Sequence, residues 1–245
     1  MTEIHLIATK YGRLMISLVL ALLVFAFIRL MSSELLAAQI YGVGTMLIEV
    51  ALTVYALDAV IRLVGTCDDQ LLLLSPLPRW RLAIRVITVL CANLLAGYLA
   101  TLLPLLHGTR DEWMAQIPNL VGYVVSTFTG LGMMLLIAYA LKGINNRFAF
   151  LVLAWFSYVL VSAIAVGVGL CWLETAAPDA VWILGATSNE SVLNLFAANI
   201  PITVLDATAQ SKIAAAYILA NAVLGIVCWV TAFTVSRSNN NFIKL

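Results

Sequence analysis

The residues of this chain with chemical potential are a few carboxylates placed where carboxylates are costly. Glu49 and Asp58 lie inside the apolar run 40–64. An isolated charge at the centre of a bilayer costs at least about 2.5 kcal/mol, so each needs a partner, a proton or water. Asp58 and Arg62 are four residues apart and pair on one helix face near its cytoplasmic end. The expected reading is an interfacial ion pair. Glu49 lies nine positions from Asp58, on roughly the opposite face, and has no basic neighbour in sequence. It is the stronger candidate for lining a polar path or bonding across a dimer interface. Asn93 and Asn221, also in apolar runs, are expected to hydrogen-bond between helices.

A second acidic pair, Asp68 and Asp69, stands in Gly65-Thr66-Cys67-Asp68-Asp69-Gln70-Leu71-Leu72-Leu73-Leu74-Ser75-Pro76-Leu77-Pro78-Arg79-Trp80-Arg81. Adjacent aspartates could serve acid–base chemistry, but no histidine or second acidic cluster accompanies them in the sequence. His5 and His107 are not grouped with acids or cysteines in a metal-ligand pattern. Cys67, Cys91, Cys171 and Cys228 show no C-x-x-C spacing and read as packing residues. No catalytic or metal-ligating set is expected.

The elements that must position these residues follow from composition. Of the 245 residues, 63% are hydrophobic and 10% charged, against about 45–50% and about 25% in soluble domains. So little charge cannot coat a water-facing surface, and a net charge of +1 gives no footing for nucleic acid. Apolar segments at 14–30, 40–64, 82–106, 119–141, 148–173 and 213–235 are long enough to span. In lipid they must be helices, because backbone groups have to be satisfied within the segment. The expected class is therefore all-α: a polytopic protein of six transmembrane helices in a single domain.

Basic residues orient it. With the N-terminus inside, Lys10, Arg13, Arg62, Arg79, Arg81, Arg85, Lys142, Arg147, Arg237 and Lys244 are cytoplasmic, and only Arg29, Arg110 and Lys212 lie outside. Both termini are then cytoplasmic. Residues 1–13 carry Ile4, Ile7, Ala8 and Tyr11 at helical spacing, which predicts an amphipathic lead-in on the inner surface. Asn145 or Asn146 is placed to cap the fifth span. Ala163 with Gly167, and Gly130 with Gly132, permit close helix approach. The segment 174–212 holds two short apolar runs interrupted by Pro178 and Pro201, and a pair of short re-entrant helices is expected there.

The loop around Asp68 has readable physics. Gly65 suits a helix end, and Asp68 or Asp69 a new N-cap. Pro76 forces Ser75 out of the α region, and Pro78 suits the first turn of the next helix. The four leucines of a helix over 68–76 are too many to bury within so short an element. They must rest on lipid, on neighbouring spans or on a partner.

This acidic start, leucine pair and Ser-Pro-x-x-Arg-Trp string resembles the inner loop of type-2 ABC exporter permeases, as does the order of features along the chain. The resemblance implies a permease subunit without a nucleotide site or cofactor of its own. It would pair with a separate ABC-type ATPase that binds ATP and Mg, and with a second copy or a homologous permease, in a bacterial inner membrane. Carried across, the short helix becomes the coupling helix, with Asp68, Asp69, Gln70, Leu71, Leu74, Pro76 and Arg79 contacting the ATPase. Many members carry a Glu where Asp69 or Gln70 stands. The implied activity is export of an amphipathic substrate: a peptide, a lantibiotic-like toxin, a lipid-linked molecule or a drug. Two other classes stay open from the residues themselves: an intramembrane enzyme built on Asp68 and Asp69, and a proton-coupled carrier or non-transporting scaffold, the carrier working through Glu49.

Overall fold

The computed structural model describes residues 3–32, 35–65, 79–104, 110–144, 146–176, 182–184, 193–197, 200–204 and 210–238. Six long helices dominate them: α1 (Glu3–Met31), α2 (Leu35–Gly65), α3 (Arg79–Thr101), α4 (Arg110–Ala140), α5 (Arg147–Ala176) and α6 (Gln210–Ser238). Five contain stretches long and apolar enough to cross a membrane: Gly12–Met31, Ile84–Thr101, Gln116–Ala140, Arg147–Thr175 and Ala215–Val235. Their outward faces carry Leu20, Phe27, Phe156, Val168, Leu219 and Val230, each more than half exposed. In water such surface would drive aggregation; against lipid it is the ordinary solvent-facing side. The chain is a multi-pass membrane protein. The remaining helix, α2, carries Glu49, Asp58 and Arg62 along its 31 residues. At 1.5 Å per residue it extends about 46 Å, well over the ~30 Å hydrocarbon thickness.

Helix ends follow local chemistry. The α2 helix is described as far as Gly65 and α3 from Arg79. At the start of α5, Asn146 Oδ1 accepts from the backbone N–H groups of Phe148 (3.0 Å) and Ala149 (3.2 Å). That is an N-cap satisfying two otherwise orphaned donors. Two ends differ from expectation. The lead-in over 1–13 and the first span form one continuous helix, Glu3–Met31, since nothing between them but Gly12 weakens helix propensity. The fourth helix begins at Arg110 and runs through Pro118; proline removes one backbone donor without preventing helical φ.

The chain divides into two compact units, 1–107 with 235–245, and 108–234. In the first, α1 packs on both α2 and α3, and α2 on α3. Its buried side chains include Met15, Leu22, Leu52, Ile61, Leu90 and Leu94. In the second, α4 and α6 meet along a seam of small and aromatic residues. A Cβ on Gly132 would fall 2.7 Å from Cδ1 of Trp229, and one on Gly225 would fall 2.6 Å from Thr129 Oγ1. The indole lies over Gly132, stacks on Phe128 at 5.2 Å and donates to the Phe128 carbonyl at 2.9 Å. Tyr217 of α6 occupies the space beside Gly169 of α5.

The re-entrant helix pair expected between 174 and 212 is not what the described residues there form. They make three short strands, β1 (Trp182–Leu184), β2 (Leu193–Ala197) and β3 (Ile200–Val204), antiparallel in the order β1-β3-β2. The reason lies in Ile200-Pro201-Ile202-Thr203-Val204, where β-branched residues favour extension and Pro201 opposes a helix interior. Pro201 pairs with Phe196 but lies one residue beyond the β1 ladder. Its missing N–H therefore falls where β3 has a neighbour on one side. Strand β2 packs against α4 and α5.

Small-residue positions separate into used and unused. Gly132 is filled by Trp229, whereas a Cβ on Gly167 meets no described atom within 4 Å. Ala163 and Gly167 are both exposed, so the close approach expected at that pair is not made among the described residues. Gly132→Ala should destabilise the protein by about 1–3 kcal/mol, the usual cost of overpacking. Gly167→Ala should change stability by less than about 0.5 kcal/mol. Unfolding in SDS–detergent mixtures measures both, and equal effects would contradict the seam.

Candidate functional site

The first half of α2 carries Tyr41, Thr45 and Glu49 at i, i+4 and i+8, a spacing that confines them to an arc of about 80°. Buried Thr45, Leu52 and Ala56 mark that side of the helix as inward-facing. Thr45 Oγ1 donates to its own helix, to the Tyr41 carbonyl at 2.7 Å and the Gly42 carbonyl at 3.2 Å. The Tyr41 hydroxyl crosses to α3 and donates to the Thr101 carbonyl at 2.5 Å. That carbonyl belongs to the last turn of α3, where carbonyls lack intrahelical donors. Thr101 Oγ1 in turn donates to the Tyr98 carbonyl at 2.7 Å, and Tyr98 is buried.

Glu49 lies one turn beyond Thr45 on the same stripe. Arg29 donates from Nη1 to the Ser32 carbonyl at 3.0 Å, a cation placed at the negative end of α1. Among the described residues, neither a basic side chain nor a hydrogen-bond donor meets the Glu49 carboxylate. The three helices approach closely at two glycines. The Phe25 ring fills the place of a Cβ at Gly44, 2.8 Å away, and Leu52 fills that at Gly97, 2.9 Å away. The Glu49 side chain is half-buried within this three-helix unit.

The other sequence-derived positions resolve differently. Asp58 and Arg62 form the expected pair at 2.5 Å, with side chains 28% and 48% exposed. Exposed pairs contribute only about 0–1 kcal/mol, so this one adds little to stability. Asn93 Nδ2 donates to the Val89 carbonyl of its own helix at 2.7 Å. Asn221 Nδ2 likewise turns back to Tyr217 at 3.2 Å. The cross-helix bond at Asn221 uses its backbone carbonyl, which accepts from Thr129 Oγ1 at 2.8 Å. Short amides on a helix reach their own preceding turn more readily than a neighbour. Asp68, Asp69, Gln70, Leu71, Leu74 and Pro76 lie outside the described residues, and Arg79 is the first residue of α3.

Sequence reasoning found Glu49 but not its surroundings. The Tyr41–Thr45–Glu49 stripe was available from spacing alone. The contribution of Tyr98 and Thr101 depends on how α3 is rotated against α2, which no local pattern encodes.

Tyr41→Phe removes the bond to Thr101 while keeping the ring. It should lower stability by about 0.5–1.5 kcal/mol. Tyr55→Phe on the same helix should stay within about 0.5 kcal/mol; SDS unfolding compares the two, and indistinguishable variants would remove the α2–α3 tie. No protein-family model matches this chain, and neither a curated protein nor a solved structure does.

Proposed function

We propose that this chain is the membrane subunit of an ATP-driven ABC-type exporter in a bacterial inner membrane. It would span six times, with α2 as the sixth crossing. The observation that carries the reading is the sequence of residues 66–78 and the packing of the two helices that it connects. These residues join the end of α2 to the start of α3, and these two helices pack on each other. A segment rich in acid and leucine, tied at both ends to packed helices, is well placed to transmit force. Its charges would orient a docking partner and its leucines would supply buried area.

In this reading an ATPase subunit binds ATP and Mg and seats the segment Asp68–Arg79. Closure of two such ATPases moves α2 and α3, and a second permease copy completes the path. The substrate is amphipathic or hydrophobic, since the chain presents long apolar faces and no sizeable water-facing domain among the described residues. A second reading, a proton-coupled carrier, is favoured by one observation: Glu49 has no described basic partner. Dissipating the proton gradient while ATP is maintained separates the two. Transport should persist for the exporter and stop for the carrier.

Six crossings place the two termini on the same side. Reporter fusions at residue 1 and residue 245 should therefore give the same compartment signal. Opposite signals would mean that α2 does not cross. Purification in mild detergent should recover an ABC-type ATPase in stoichiometric amount. Asp69→Lys or Arg79→Glu should abolish transport while hydrolysis and membrane insertion continue; unchanged transport in both would remove the coupling role.

A further inference from the structure

One side of α2 is left open by the packing of its own unit. Gln39, Gly42, Met46, Glu49 and Thr53 follow one another at spacings of three and four. That spacing keeps them on a strip about 80° wide along the helix. Gln39, Gly42 and Met46 are exposed, and Glu49 and Thr53 are half-buried. A Cβ on Gly42 would meet no described atom within 4 Å. The same spacing continues through Leu57 and Val60, which are buried within the chain. The open part of the strip is therefore the part that carries the polar groups. Among the described residues, no hydrogen bond reaches the side chain of Gln39, Glu49 or Thr53.

Acyl chains can cover Met46 and Gly42, but they offer nothing to an amide, a carboxyl and a hydroxyl. The exposed Ala163 and Gly167 of α5 are different, because lipid covers them fully. Glu49 is near the midpoint of the 31-residue α2. A crossing α2 then holds it at mid-membrane, where a charge is costly and water is scarce. Whatever covers the strip must bring hydrogen-bonding groups at the same depths. A second copy of this chain, related by a two-fold axis along the membrane normal, does so by symmetry. Each polar group on the strip is its own complement. A side-chain amide and a hydroxyl both donate and accept, and so does a carboxyl in its acid form. Gly42 lets two backbones approach, and spacings of three and four are those of a left-handed helix pair. We propose that the α2 strip from Gln39 to Thr53 is the contact between two copies of this chain, with their Glu49 carboxyl groups hydrogen-bonded to each other. Its meaning for transport rests on the export reading, which calls for a second permease. The contact itself needs no ATPase, so a missing ATPase leaves it standing and the two fail separately.

The test uses the full chain in liposomes, without any ATPase. For cross-linking, Cys67, Cys91, Cys171 and Cys228 are changed to alanine. Met46→Cys then places one thiol on the strip, and Ala51→Cys places one on another exposed side, about 140° round the helix. Oxidation with copper phenanthroline should link Met46→Cys into a dimer and leave Ala51→Cys monomeric. Energy transfer between donor- and acceptor-labelled copies of the chain with its native cysteines measures association. Glu49→Leu should weaken association about five-fold or more, and Glu49→Gln, which keeps a donor and an acceptor, about two-fold or less. Where Glu49→Leu does not insert, Gly42→Leu carries the test with a loss of about three-fold or more. Gly167→Leu on α5 should change nothing. Absence of transfer above random proximity overturns the proposal, as does linkage that is missing at Met46 or equal at Met46 and Ala51. A loss with Gly167→Leu that matches the loss with Gly42→Leu overturns it too, because the contact then lies elsewhere.

Discussion

Helices in lipid have no hydrophobic force drawing them together, because acyl chains are as apolar as leucine. Association must come from close packing and from polar contacts, and this chain makes the polar contacts largely against main-chain oxygen. Tyr41, Thr129 and Trp229 each donate across a helix gap to a backbone carbonyl, those of Thr101, Asn221 and Phe128. A carbonyl has two lone pairs, so one in mid-helix accepts a second bond without losing its own. This fixes helix rotation without placing a second polar side chain in the membrane. Each bond depends on proximity, and small residues provide it where Trp229 lies against Gly132 and Thr129 against Gly225.

What could be read from the sequence follows from the same division between local and non-local chemistry. Asn146 acts within a turn of itself, and the helix start it predicts is where α5 begins. The Asp58–Arg62 pair is an i,i+4 contact and equally legible. The indole over Gly132 and the phenol on Thr101 span 97 and 60 positions of sequence. They depend on helix rotation, which near-uniform apolarity leaves unmarked. Asn93 differs from expectation for a related reason: the nearest acceptor for a helical amide belongs to its own preceding turn. In 174–212, β-branched residues around Pro201 favoured strand over helix, a preference obscured by overall hydrophobicity.

The two units use one set of devices toward different ends. In the α4–α6 seam, Thr129 is shared between the Val125 and Asn221 carbonyls and the Trp229 N–H is taken by Phe128. Close-fitting rings fill the space beside them, with Phe128, Trp229 and Phe233 in sequence. Donors there are matched to acceptors and the seam behaves as a lock. In the α1–α3 unit the donors are matched as well, but to the backbone, and the group left over is an acid. Replacing Glu49 by leucine would be the simpler solution if packing were the sole demand, since a buried charge is costly wherever it lacks a partner. An acid kept in this unit without a described basic partner is therefore a demand that packing does not make.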